Sequence, residues 1–301
     1  MHPAGQEVPE SQQPPDTKIF AWAGLRFRLP AGWETGQLAR NHGWLESDFK
    51  PTLEFKTAYV KGHFSFRRHL KRLKQASPLR LRPTELPDGW QPYLARFHTQ
   101  AFSWQSPRLA GDGLLIHCPE CRRATLMQFF RNPQKPSAVE TVLASFDDHG
   151  PARRPTVAVY DIQVSVPDIM PLERFRFDSG AFELVFGGGD RRLTLWRWSP
   201  ADAALRHHGG SLLNFATRNQ LSSGSALLTS PRTLTRGLEW RWPPRRSWRD
   251  RLPSRIKRRL SPAILRIWHR QTANRILAAR GDGNWDDATF AEICRSYEIL
   301  S

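Results

Sequence analysis

The chain has 301 residues, with 45 Lys and Arg against 28 Asp and Glu for a formal charge of +17, and 39% hydrophobic residues. That apolar content supports a packed core and excludes a wholly disordered chain, and at roughly 100–200 residues per domain the length predicts two domains. Three cysteines are too few for an oxidised disulfide scaffold, and no apolar run approaches the ~18 residues of a membrane-spanning helix.

Residues 1–18 are rich in Pro, Gln and Glu and read as a disordered tail without an export signal, so the expected location is the cytoplasm. Ordered structure is expected from Ile19. Leu25, Phe27 and Leu29 alternate with Arg26 and Arg28 and stop at Pro30, the pattern of a half-buried strand ending in a turn. Gly43 opens a second strand near Trp44–Phe49, and Leu53-Glu54-Phe55-Lys56 forms a third. Ser65 is placed to cap a helix whose Phe66, Leu70 and Leu73 share one face. Phe102-Ser103-Trp104 and the runs Leu114–His117 and Ala124–Phe130 are further strands. Val139, Val142, Leu143 and Phe146, spaced i, i+3, i+4, i+7, predict a closing helix.

The same punctuation then returns. Ile162, Val164 and Val166 alternate up to Pro167, at an offset of 137 from the first copy. Gly180 follows Pro167 as Gly43 follows Pro30, thirteen residues on. Strands at Ala181–Phe186 and Leu193-Thr194-Leu195-Trp196 are joined by Gly187-Gly188-Gly189-Asp190, where positive φ costs least. Ser199 and Pro200 predict a helix with Pro at its first position and Asp202 in its first turn. Trp240-Arg241-Trp242, the pair Ile264–Trp268 and Arg275–Arg280, and the helical stripe Phe290, Ile293, Cys294, Tyr297 complete the copy. Asp286 and Asp287 stand where carboxylates cap that helix. The predicted fold is therefore α+β: two homologous halves, 19–150 and 157–301, bridged by Ala152-Arg153-Arg154-Pro155, each an antiparallel sheet covered by helices.

The order of elements, the run Leu-Arg-Phe-Arg-Leu-Pro-Ala-Gly-Trp at 25–33 and the closing helix resemble the PsbP-like α+β sandwich fold. That resemblance implies a binding or assembly protein rather than an enzyme, and it transfers no functional residue.

The charge is localised. Residues 57–84 carry eight Lys or Arg and no acid, and residues 232–270 carry thirteen against Glu239 and Asp250. The offset between halves grows from 138 at Trp240 to about 150 at Ile264, which marks a basic insertion at about 243–262. It contains Arg245, Arg246, Arg249, Arg251, Arg255, Lys257, Arg258 and Arg259, with Trp248 inside it and Trp268 beyond it. Cations interleaved with aromatics neutralise phosphates and stack bases. The same composition, with Leu252, Ile256 and Leu260 between the arginines, suits an anionic membrane surface. The expected partner is anionic, whether nucleic acid, anionic lipid or an acidic protein, and lipid would place the protein at the membrane periphery. A merely solvated basic surface is the plain alternative.

His117-Cys118-Pro119-Glu120-Cys121-Arg122 is the sharpest local motif. Cys-x-x-Cys at a tight turn is half of a tetrahedral zinc site, so Cys118 and Cys121 are the candidate metal ligands, with His98, His117 or His149 as possible additions. Its place between two strands argues against a thioredoxin-type thiol, which needs a helix N-terminus. Cys294 falls in an apolar stripe and reads as a core thiol, and Asp147-Asp148-His149 reads as a solvated helix end. Dinucleotide, Walker, hydrolase-elbow and His-Glu-x-x-His motifs are all absent. The function expected is a non-catalytic binding protein for an anionic partner. A protein-assembly factor is the second reading, and an enzyme with a site between the halves is the third.

Overall fold

The computed structural model describes residues 17–30, 32–76, 80–131, 136–148, 156–219, 221, 230–242 and 262–300. The chain divides into two compact units, Met1–Asp161 with Leu300, and Ile162–Ile299 with Ser301. Both are α+β, and every strand pair whose register is described is antiparallel. The bridge at Ala152–Pro155 and the tail up to Asp16 lie outside the described residues. Lys18, expected in the tail, already pairs with Leu29.

In the first unit, β1 (Lys18–Trp22) and β2 (Leu25–Leu29) form a hairpin. Ala23 and Gly24 make its two-residue turn, both with positive φ, as a tight hairpin turn of matching twist requires. The alternation read from the sequence is realised: Leu25, Phe27 and Leu29 are buried while Arg26 and Arg28 are exposed. Next come β3 (Trp33–Ala39), β4 (His42–Ser47) and β5 (Lys50–Tyr59), then helix α1 (Phe66–Ala76). They are followed by β6 (Arg80–Thr84), a short turn into α2 (Gln91–Leu94), β7 (His98–Gln105), β8 (Ala110–His117) and β9 (Arg123–Phe130). Helix α3 (Pro136–Ala144) and β10 (Thr156–Val159) complete the unit, β10 pairing with β1. A seven-stranded sheet runs β3-β4-β5-β9-β8-β7-β6.

Side-chain alternation gives this sheet two buried faces. On one, Phe102, Trp104, Leu115 and Phe130 pack against Phe66, Leu70 and Leu73 of α1. On the other, Phe55 meets Phe20 of the hairpin edge-on at 5.4 Å. Gly113 is required here: a Cβ would stand 2.2 Å from the Phe102 ring, its partner across the strands. Burial of side chains such as Phe102 contributes about 1.5–3 kcal/mol each.

The second unit opens with β11 (Ile162–Ser165), β12 (Leu172–Asp178), β13 (Ala181–Gly188) and β14 (Arg191–Trp198). Helices α4 (Ala201–His207) and α5 (Leu212–Arg218) precede β15 (Arg232–Leu234), β16 (Gly237–Trp242), β17 (Ala263–Arg270) and β18 (Arg275–Asp282). Helix α6 (Asp287–Ser296) and β19 (Glu298–Ile299) close it, β19 pairing with β11. Its seven-stranded sheet runs β12-β13-β14-β18-β17-β16-β15. In each seven-stranded sheet the first three strands lie in chain order and the last four in reverse. In each, a helical segment follows the third strand and another follows the seventh.

Two local expectations need correction. Pro200 caps α4 from outside instead of occupying its first position. Asn274 explains this: its carbonyl accepts from Ala201 N–H, and its Oδ1 accepts from Asp202 N–H at 2.9 Å. Those bonds satisfy the free N–H groups of the first turn and fix where the helix begins. The stripe predicted over 139–146 also outruns its helix. Phe146 N–H turns back to Leu143, and Asp147 then exchanges 2.7 Å backbone bonds with Arg26 of β2.

Candidate functional site: a basic helix and a thiol–carboxylate cluster

Helix α1 is amphipathic because its sequence is. Its apolar residues recur at three and four, and all three face the sheet. Ser65 caps it as expected, with its Oγ accepting from Arg68 N–H. Phe64 packs on His69 at 4.7 Å, closing the helix start as a hydrophobic staple. What remains on the solvent side is cationic: Arg67, Arg68, Lys71, Arg72 and Lys74 are all exposed. No acid occupies the first turn, and among the described residues none of these five has a carboxylate partner. Arg80 and Arg82 are exposed too, on the edge strand β6. They alternate with Leu81, which joins the core beneath α1, so they point to the opposite sheet face.

The sequence placed the densest cations in the insertion. Arg245, Arg246, Arg249, Arg251, Arg255, Lys257, Arg258, Arg259 and Trp248 all lie outside the described residues. Trp268 does not: it is buried in β17, edge-on to Tyr297 at 5.9 Å, and is withdrawn from any stacking role. Both faces of β17 carry buried residues, Ile264 and Trp268 on one and Leu265 and Ile267 on the other.

The second feature lies at the tip of the β8–β9 hairpin. Cys118 N–H donates to Arg123 O at 2.9 Å, and Arg122 adopts φ +57, which closes the turn and brings Cys118 and Cys121 together. Arg123 N–H donates to the Cys121 sulfur. The Arg123 side chain is buried and donates to Ala23 O of the β1–β2 turn and to Tyr59 Oη at 2.7 Å, anchoring the hairpin base.

Asp148 was expected to be solvated at a helix end. It is instead 4% exposed, and its Oδ2 lies 3.2 Å from Cys121 Sγ as acceptor of the thiol hydrogen bond. The cause is the early end of α3: once Asp147 pairs with Arg26, the following residue is carried to the hairpin tip. Cys118, Cys121 and Asp148 present three ligand atoms all within 4.8 Å of one another. No histidine among the described residues belongs to that group, so His98 and His117 are not its ligands, and His149 lies outside the described residues. The His117 ring stacks on Phe64 at 4.4 Å and lies 5.9 Å from the His98 ring. Burial, with the neighbouring His98 and Arg122, holds the His117 imidazole below its ordinary pKa, against an opposing pull from Asp148.

Burial pushes the Cys121 thiol up to about 12, with Asp148 and Cys118 adding to the rise against the Arg123 N–H. A thiol so placed is neutral at physiological pH, unlike an activated nucleophile. Cys294 is a core thiol on the buried face of α6 and is likewise pushed up to about 12 by burial.

No protein-family model matches the chain, and no curated protein matches it. Solved structures with some likeness include a Bacteroides thetaiotaomicron protein at 12% identity and TM-score 0.29, covering 50% of this chain and 53% of its own. The chain thus spans about half the length of that protein. MucB in complex with MucA(peri) matches at 9% identity and TM-score 0.25, over 92% of this chain and 82% of its own. The apo immunity protein TplEi of a Pseudomonas aeruginosa T6SS matches at 13% identity and TM-score 0.29, over 95% and 98%. At such TM-scores none of these likenesses carries an argument about this chain.

Proposed function

We propose that this protein is a non-catalytic binding protein, built from a duplicated PsbP-like α+β unit, that holds a phosphate-backbone polyanion against helix α1. One observation carries the reading: five exposed cations on eleven helical residues, without an acid among them. The scaffold does not require them. In the second unit the first helix after the third strand, α4, balances Arg206 against Asp202 in an i,i+4 pair at 3.3 Å. In α1 the i,i+4 partners are Arg67 with Lys71 and Arg68 with Arg72, each repelling by about 0.2–0.5 kcal/mol. Arg67 and Arg68 also sit at the positive end of the helix dipole. A bound polyanion relieves all three costs.

The helix favours nucleic acid over a bilayer. A membrane-surface helix needs a free apolar face to enter the lipid, and the apolar face of α1 is already committed to the sheet. Binding of a fluorescent DNA duplex, followed by anisotropy from 50 to 300 mM salt, tests this. Five phosphate contacts give a slope of log K against log salt of about −4.5. Exchange of Arg67, Lys71 and Lys74 for Gln should shrink that slope by about three contacts' worth, or about 2.7. Unchanged slopes, or tighter binding of anionic vesicles than of DNA, would refute the proposal.

A further inference from the structure

We propose that Cys118, Cys121 and Asp148 bind one zinc ion, with water completing a tetrahedral site. The geometry suits that ion. With Zn–S near 2.3 Å and Zn–O near 2.1 Å, a tetrahedron sets its sulfurs about 3.8 Å apart and each sulfur about 3.6 Å from the oxygen. The three ligand atoms lie within 4.8 Å of one another, and the Cys121–Asp148 pair stands at 3.2 Å, so small side-chain rotations seat the ion. Two sulfurs and a carboxylate oxygen, four-coordinate, are a donor set that zinc accepts and hard cations such as magnesium do not. The hairpin has the form of a metal knuckle. Two residues, Pro119 and Glu120, separate the cysteines, Arg122 just after the second holds positive φ, and a backbone N–H donates to the sulfur of the second.

Comparison with the second unit separates this chemistry from the fold. There the matching β17–β18 turn runs through Gln271–Ala273 to Asn274, which holds φ +52 as Arg122 holds +57. That turn contains no cysteine. In the first unit Arg26 faces Asp147, and in the second Gln163 faces Glu298. The next residue is Asp148 in one and Ile299 in the other. An aliphatic side chain therefore serves the fold at that position. A dication bridging the carboxylate and two thiolates adds positive charge beside this buried acid. On binding, each thiol releases its proton to solvent and the sulfur lone pair takes the metal.

The full-length protein, stripped of metal and kept reduced with a phosphine, would be titrated with cobalt(II) and then with zinc. One cobalt per chain should produce a near-ultraviolet thiolate-to-cobalt charge-transfer band, and one equivalent of zinc should bleach it. Cys121→Ser should remove at least half of the band and weaken zinc at least tenfold. Asp148→Asn should keep the band and weaken zinc about tenfold, while Cys294→Ser should change neither. Zinc X-ray absorption of the unmutated protein guards against a variant that fails to fold: it should show two sulfurs near 2.3 Å and light atoms near 2.1 Å. A folded, reduced protein without the cobalt band, a band indifferent to Cys121→Ser, or a zinc shell of light atoms alone would overturn the proposal. So would a Cys118–Cys121 disulfide that forms in air and, after reduction, leaves a protein unable to take up metal.

Discussion

Replacement of Arg68 by Glu should stabilise the first unit while weakening polyanion binding. Ser65 is the N-cap of α1 and already accepts from Arg68 N–H, so residue 68 is the third helical position. Glu there completes a Ser-x-x-Glu capping box, its carboxylate reaching back to the Ser65 N–H. Exchanging a cation for an anion in the first turn also reverses an unfavourable dipole interaction of about 0.3–1 kcal/mol. The Arg68–Arg72 repulsion becomes a Glu-to-Arg i,i+4 attraction, each worth about 0.2–0.5 kcal/mol. Together these amount to about 1–2 kcal/mol, which for a domain of this size raises the melting temperature by roughly 2–8 °C. Calorimetry at low salt reads that shift, and added salt should narrow it, because the interactions are exposed and screened. DNA affinity should fall at the same time, with a salt slope smaller by about 0.9 for the lost contact. A melting temperature that stays or falls would refute the electrostatic account of α1. A stabilised variant that binds DNA with unaltered affinity and slope would refute its role in binding.

Three further outcomes are expected. Glu239, 3% exposed, accepts from Arg241 at 2.7 Å and from Arg266 at 2.6 Å, so Glu239→Ala should destabilise the second unit by about 3 kcal/mol in urea melts. Burial opposes the charge on Glu239, yet the two arginines win and hold its carboxyl below the usual range. Its contribution is therefore full above the unfolded value of about 4.3 and is lost as pH falls through the lower folded value, so acid melts of Glu239→Gln should lack that step. Phe49 sits at a hairpin tip with φ +59 and 98% exposure, so Phe49→Gly relieves a left-handed conformation without losing burial and should stabilise by about 1 kcal/mol.

Much of this structure was legible because its elements are amphipathic. The Leu25–Leu29 alternation, the α1 stripe and the buried set Phe290, Ile293, Cys294 and Tyr297 each follow directly from a period of two or of 3.6. Ser65 and Asp286 cap the helices they were expected to cap. The misreadings concern residues decided by contacts distant in sequence. Asn274, 72 residues from Asp202, sets the start of α4. The Arg26–Asp147 bridge, not any local preference, buries Asp148 beside Cys121. Cys118 and Cys121 were visible as a pair because a four-residue motif is local. Their third partner follows 27 residues after Cys121, on another element, and no spacing announces it.

The two chemical features of the first unit share a support. Phe64 packs on His69 at the first turn of α1 and, with its other contacts, stacks on His117, the residue before Cys118. The start of the basic helix is thus seated on the last residue of β8, and the hairpin tip that holds the thiols fixes where that residue stands. A rigid tip costs less ordering entropy when the helix receives a ligand than one that must be ordered on binding. The second unit shows the contrast at both places: its turn carries Asn274, which caps a helix, and its helices carry a balanced Asp202–Arg206 pair. One strand order, used twice, therefore carries a charge-paired helix α4 after the third strand in one unit and a helix of uncompensated cations beside a thiol–carboxylate cluster in the other. Packing demands account for the first arrangement. They do not require the second, and under the proposed function α1 is where a polyanion would bind and the β8–β9 tip is where the proposed zinc ion would sit.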